Sequence, residues 1–126
     1  MNELFSFDFH IHSKYSYDSI LSPSQIIKVA KKIGLNGIAI TDHNTIRGGV
    51  EAKKIGDKSI FIIVGSEIKT DKGDVIGLFL SKDIKNRNFD EVLEGIREQG
   101  GIVVLPHPYK LKEHGIEKLG RKVDLI

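Results

Sequence analysis

Phe7-Asp8-Phe9-His10-Ile11-His12-Ser13 alternates strictly between apolar and polar side chains up to His12. A β-strand sends successive side chains to opposite faces. The stretch from Leu4 to His12 therefore predicts a first strand, with Phe7, Phe9 and Ile11 on one face and Asp8, His10 and His12 on the other. The apolar set is expected to meet a helix layer. The two His Cα atoms then stand roughly 6.6 Å apart, at about 3.3 Å per residue. Two imidazoles at that spacing, at the end of a strand, can converge on one metal ion. A half-buried strand that carries its His residues by chance is the competing reading.

The surrounding chain narrows the chemistry. Its 126 residues suit one domain, 1–126, and a hydrophobic fraction of 40% suits a globular core. There is no cysteine, so disulfides and thiolate metal sites are excluded and any metal rests on His, Asp and Glu. No apolar run approaches the ~20 residues of a transmembrane helix, and the N-terminus has no signal-peptide pattern. No membrane partner is expected, and a cytoplasmic location is. A net charge of +2 is too small to argue by itself for nucleic acid.

Later segments alternate between helical and strand patterns. Ser22-Pro23-Ser24-Gln25 opens a helix: Ser as N-cap, Pro at the first position, Gln three residues after the Ser. Ile26, Ile27, Ala30 and Ile33 follow at helical spacing, and Gly34 is its expected C′ residue. Gly37 to Thr41 and Ser59 to Val64 are short apolar runs that fit strands buried on both faces. Between them a helix is expected from about Ile46 to Ile55, weakened by Gly48 and Gly49. Asp71-Lys72-Gly73-Asp74 predicts a hairpin turn into Val75 to Leu80. Asn88 with Glu91 opens a third helix, and Ile102 to Leu105 is a further strand. Lys110 to Lys122 reads as a charged segment with a short helix, and Val123 to Ile126 begins another apolar run. Strands alternating with helices predict an α/β fold with a mostly parallel sheet. His10/His12, Asp42/His43, Glu67 and His107 each fall at the C-terminal end of an expected strand, the edge where α/β folds build their sites. Singly, Asp42 reads equally as a helix cap, Glu67 as a solvated acid and His107, between two prolines, as a rigid turn. Their coincidence at one edge argues for a shared site.

Asp8-x-His10-x-His12-Ser13, Thr41-Asp42-His43-Asn44, Gly65-Ser66-Glu67 and Leu105-Pro106-His107-Pro108 together resemble the PHP family, named for polymerase and histidinol phosphatase. The resemblance implies a distorted (β/α)7, TIM-like barrel, of which this chain supplies a part. It also implies two or three divalent ions (Mn, Zn or Fe) and hydrolysis of phosphate esters by a metal-bound hydroxide. The substrate would be a phosphorylated small molecule, a nucleotide or a nucleic-acid end. Carried over by residue, His10 and His12 are similar to ligands of a first ion, and Glu67 to a carboxylate bridging first and second. His107 resembles a second-ion ligand, and Asp18 and His43 ligands of a third. Asp8 resembles the acid that orients a ligand His, with Asp42 in a comparable supporting role. Where many relatives place a second-ion His, this chain has Asp74, which is either a ligand or a turn residue.

Other relatives of the family end in an Asp-x-His pair, and no such pair follows His107 here. The expectation is therefore a chain that lacks C-terminal strands and either pairs with another polypeptide, including a second copy, or belongs to a longer protein. Little phosphoesterase activity is expected of it in isolation. Arg47 and Lys14 are candidate phosphate-binding cations, each with a solvated surface charge as the competing reading. Two rival functions stay open: a metal-dependent amidohydrolase, which also uses His-x-His, and a non-catalytic module that binds metal or a partner.

Overall fold

The computed structural model describes residues 4–106. His107, the charged segment after it and the run 123–126 lie outside the described residues. Eight elements follow in order: β1 (Phe7–Ile11), α1 (Pro23–Lys32), β2 (Gly37–His43), α2 (Arg47–Ile55), β3 (Phe61–Thr70), β4 (Gly73–Leu78), α3 (Phe89–Glu98) and β5 (Ile102–Val104). The strands form one curled α/β half-barrel sheet in the order β1-β2-β3-β4-β5. β1, β2 and β3 are parallel, while β4 runs against both β3 and β5. Four strands thus share one direction, and the hairpin strand β4 is the exception. No helix is long and apolar enough to cross a membrane, among the described residues.

Local chemistry sets the helix ends. Ser22 Oγ accepts from the Gln25 amide at 3.2 Å while the Ser22 amide donates to Gln25 Oε1 at 2.8 Å, a reciprocal cap on α1. At the other end Gly34 turns left-handed (φ 85°), and the Gly34 and Leu35 amides donate back to the Lys31 and Ala30 carbonyls. The apolar faces of α1 and α2 close a core of Ile26, Ile27, Ala30, Ile38, Ile40 and Ala52. α3 covers β3 to β5 with Phe89, Val92, Leu93 and Ile96. On the opposite face Ala39, Ile63, Ile76 and Leu78 pack together. That face also carries the site.

Gly48 and Gly49 do not weaken α2 so much as let it approach the sheet. A Cβ on Gly48 would stand 2.1 Å from Asp42 Oδ2, and one on Gly49 3.0 Å from the Val64 Cα.

Two expectations are corrected. The alternation in β1 is broken. Asp8 pairs with Ile38 and Ile11 with Ile40, so three steps on β1 face two on β2. One extra residue in the strand is a bulge, which re-aims the side chains on either side of it. Asp8 therefore joins Ile11, Leu21 and Ile26 along α1, instead of sharing a face with His10 and His12. Among the described residues Phe7 and Phe9 do not pack under a helix either. They stack on each other at 5.7 Å, Phe7 tilts against Phe61 at 6.2 Å, and they stay 36% and 43% exposed. The second correction concerns β3, which does not stop at Val64 but runs to Thr70. Glu67 therefore sits inside the strand. β2 ends opposite it at His43, so Glu67 still marks the C-terminal edge of the parallel part of the sheet.

Candidate metal centre

The loop after β1 is held by one buried carboxylate. Asp42, fully buried on β2, accepts from the Ser13 amide and Ser16 Oγ, both at 2.6 Å, and from Ser13 Oγ at 2.7 Å. Ser16 Oγ in turn accepts from the His43 amide at 3.0 Å. This clamp fixes the direction in which residues 12–18 leave the strand. At the end of β2, Asn44 adopts φ 56°, a conformation Asn tolerates better than most residues. Its amide donates to the Glu67 carbonyl at 2.9 Å and its Oδ1 accepts from the Lys69 amide at 3.1 Å. β2 is thereby turned away while β3 continues.

The clamp, the bulge and β3 bring five side chains together. His10 Nε2 and His12 Nε2 lie 2.6 Å and 2.8 Å from the same oxygen, Glu67 Oε1. His12 Nδ1 lies 2.9 Å from Asp18 Oδ2, and His43 Nε2 lies 3.2 Å from that oxygen. Ligand atoms of His10, His12 and Glu67 fall within 4.8 Å of one another, as do those of His12, Asp18 and His43. His12 and His43 rings meet edge-on at 4.4 Å.

The electrostatics are those of a site that wants positive charge. Glu67 is 1% exposed. Burial pushes its carboxyl up, but the hydrogen bonds from His10 and His12 and the charges of His10 and His43 outweigh this and hold it at about 2. The Glu67 hydrogen bond raises His10 above its ordinary value, against an opposing effect of burial. Asp18 feels burial in the same upward sense, and its bonds to His12 and His43 together pull it below the usual carboxylate range.

A divalent ion fits this donor set. His12 has a carboxylate oxygen against each ring nitrogen. Carboxylates only accept, and a neutral imidazole has a single N–H. One of the two contacts therefore needs another positive charge, a second proton or a cation. Nitrogen and carboxylate donors without sulfur suit Zn, Mn or Fe.

The other expected residues are placed as follows. Asp8 supports His10, but through the backbone: its Oδ1 accepts from the His10 amide at 3.0 Å. Asp74 lines the same cleft of about 540 Å³ as His10, His12, Asp18, His43 and Glu67, outside the two close-packed groups of ligand atoms. Arg47 lays its guanidinium over the Tyr15 ring at 4.5 Å, and Lys14 Nζ lies 5.3 Å from that ring. Tyr15 OH donates to Glu51 Oε1 at 2.7 Å. The pattern of the sequence did not single out Ser13 and Ser16 as clamp donors, nor Tyr17, whose ring stacks on His43 at 4.8 Å. The polar, aperiodic run Lys14 to Ser19 was the available signal.

The PHP domain family model matches residues 8–115. An uncharacterised protein of Methanocaldococcus jannaschii is 50% identical over 114 residues, spanning 81% of this chain and 67% of its own length. A 5'-3' exoribonuclease of Haemophilus influenzae is 40% identical over 68 residues, 51% of this chain and 23% of the enzyme. Among solved structures, a protein of Bifidobacterium adolescentis assigned as a metal-dependent phosphoesterase superposes with TM-score 0.51 at 30% identity, over 60% of this chain and 27% of its own. An amidohydrolase of Chromobacterium violaceum superposes with TM-score 0.54 at 23% identity, over 74% and 32% of the two chains. That second likeness speaks to the fold alone.

Proposed function

The chain belongs to the PHP domain family, and from that membership we propose that its metal centre serves the hydrolysis of phosphate esters. Family and neighbour together support a metal-dependent hydrolase. The observation that carries the reading is the meeting of His10 Nε2 and His12 Nε2 on one oxygen of buried Glu67. These three residues would hold one divalent ion, and Asp18 with His43 another. Asp74, and His107 from outside the described residues, are the candidates to complete a site that shares Glu67. When bound, such ions supply hydroxide at neutral pH and neutralise phosphate charge.

The chain's own groups fit that division of labour. Ser13 and Ser16 donate their hydroxyls to Asp42, and there is no cysteine, so none of these is offered as a nucleophile. Water activated at the metal centre is the proposed attacking group. Glu67, held ionised, fixes two imidazoles in one orientation. Asp42 holds the loop that carries Asp18, and Asp8 holds the His10 backbone. Arg47 and Lys14, both close to the Tyr15 ring, are the candidate cations for substrate phosphate. The H. influenzae relative is an exoribonuclease by name, which favours a nucleotide or a nucleic-acid end over other phosphate esters.

The test is hydrolysis of p-nitrophenyl phosphate and of bis(p-nitrophenyl) phosphate, by this chain and by the M. jannaschii relative, with Mn²⁺ and with a chelator. Mn²⁺-dependent release of p-nitrophenol by the M. jannaschii relative, abolished by the counterpart of Glu67→Ala, is the expected result, with little release by this chain alone. Turnover that survives a chelator would refute metal catalysis.

A further inference from the structure

We infer that the groove beside the metal centre is a nucleotide-strand subsite, in which Tyr17 stacks a base and Lys69 takes a neighbouring phosphate. The inference rests on the phosphoesterase reading and names its substrate class. The groove, of about 580 Å³, runs between Tyr15, Ser16 and Tyr17 on one side and Lys69, Thr70, Gly73 and Asp74 on the other, over His43 and Asn44. It shares Tyr17, His43 and Asp74 with the metal cleft, so the two are continuous.

Its walls follow from the fold. β2 ends at His43, whereas β3 continues through Ile68, Lys69 and Thr70 and turns back into β4. This overhang lifts Lys69 beyond the metal ligands. Lys69 lies two residues after Glu67 on the same strand, hence on the same face, roughly 6.8 Å along it. Lys69 is exposed on the groove wall, with Asp74 as its cross-strand neighbour. Its ammonium, beside a site for phosphate, is placed to take a second phosphate.

Tyr17 supplies the other half. The residue is 89% exposed, yet its ring lies nearly parallel to the His43 ring, at 28° and 4.8 Å between centroids. An aromatic ring stacked on one face and open elsewhere is a stacking platform, and a base is the planar group that a phosphate ester chain brings. A sugar phosphate has no such group.

The experiment uses the full chain, in a chelator so that binding is read without turnover. The probe is 5'-phosphorylated hexathymidylate carrying a 3' fluorescein, set against an abasic strand of the same charge, followed by anisotropy. Wild type is expected to prefer the base-bearing strand by about tenfold. Tyr17→Ala loses that preference and Tyr17→Phe keeps it, because stacking does not need the hydroxyl. Lys69→Gln weakens both strands alike and lowers the salt slope by about one. Equal affinity of wild type for the two strands, or an unchanged preference in Tyr17→Ala, overturns the subsite even if p-nitrophenyl phosphate is hydrolysed. Base preference here, with no Mn²⁺-dependent turnover by the M. jannaschii relative, supports the subsite and refutes the phosphoesterase reading instead.

Discussion

His10 Nε2 lies 2.6 Å from Glu67 Oε1 although the two residues stand 57 positions apart. One comes from a bulged edge strand and the other from the interior of β3, so the contact reports tertiary structure. It is also half of the cation site proposed above. Changing a group that merely supports a ligand costs metal affinity about 10–100-fold, so His10→Ala and Glu67→Ala should each weaken Mn²⁺ or Zn²⁺ binding by more than about 100-fold. Isothermal titration measures this, and an affinity near that of wild type in either variant would remove that residue from the site.

The same pair gives the metal-free protein a pH signature. Glu67 titrates at about 2 against an ordinary 4.5, so its contribution to stability is present above 4.5 and disappears as pH falls towards 2. His10 is raised above 6.5, so its contribution is present below 6.5 and disappears as pH rises through the folded value. In a chelator, the thermal midpoint should rise as pH increases from about 2 to 4.5 and decline again as pH rises above 6.5. His10→Gln should flatten the alkaline decline, and Glu67→Gln should flatten both limbs. A wild-type midpoint constant above pH 5 would contradict the coupling.

The Asp42 clamp should matter to both stability and metal. Three donors converge on its carboxylate. Asp42→Asn turns an N–H₂ towards them, and leaving buried donors unsatisfied costs about 1–3 kcal/mol. The freed loop carries Asp18, so metal affinity should fall about tenfold as well. Ser22→Ala, at the α1 cap, should cost about 1 kcal/mol and leave metal affinity alone. Urea denaturation beside metal titration separates the two. Equal effects of both variants on metal binding would mean that Asp42 acts only through global stability.

Much of this arrangement is legible along the chain, and the exceptions have physical reasons. The caps of α1 and α3 are written in local residues, Ser22 with Gln25 and Asn88 with Glu91, and local chemistry decides them. Ile38 to Ile40 announce a buried strand because both of its faces are covered. The bulge between Asp8 and Ile11 leaves no mark, since it arises from pairing with β2 and the alternation of the sequence runs straight through it. The length of β3 is equally hidden. Glu67 and Lys69 look like loop residues, yet β4 extends the strand past the point where β2 leaves it. His10, His12, Glu67, Asp18 and His43 were nameable from motif resemblance, whereas Tyr17 and Ser16 depend on how the loop is clamped.

Asp18 offers the sharpest test of how the two groups of ligands are coupled. Its Oδ2 stands 2.9 Å from His12 Nδ1 and 3.2 Å from His43 Nε2. Towards His43 it is the partner proposed to hold an ion. Towards His12 it is the carboxylate that fixes the ring while Nε2 faces Glu67, the arrangement that sets the tautomer of a ligating imidazole. His43→Ala should therefore remove one metal equivalent and leave the ion at His10, His12 and Glu67 bound. Asp18→Asn should remove the same equivalent and also loosen the remaining ion by about 10–100-fold. Metal counting by native mass spectrometry, with titration of the tighter ion, reads both effects. If the tighter ion is held equally well in the two variants, Asp18 is only a ligand, and the link through His12 is absent.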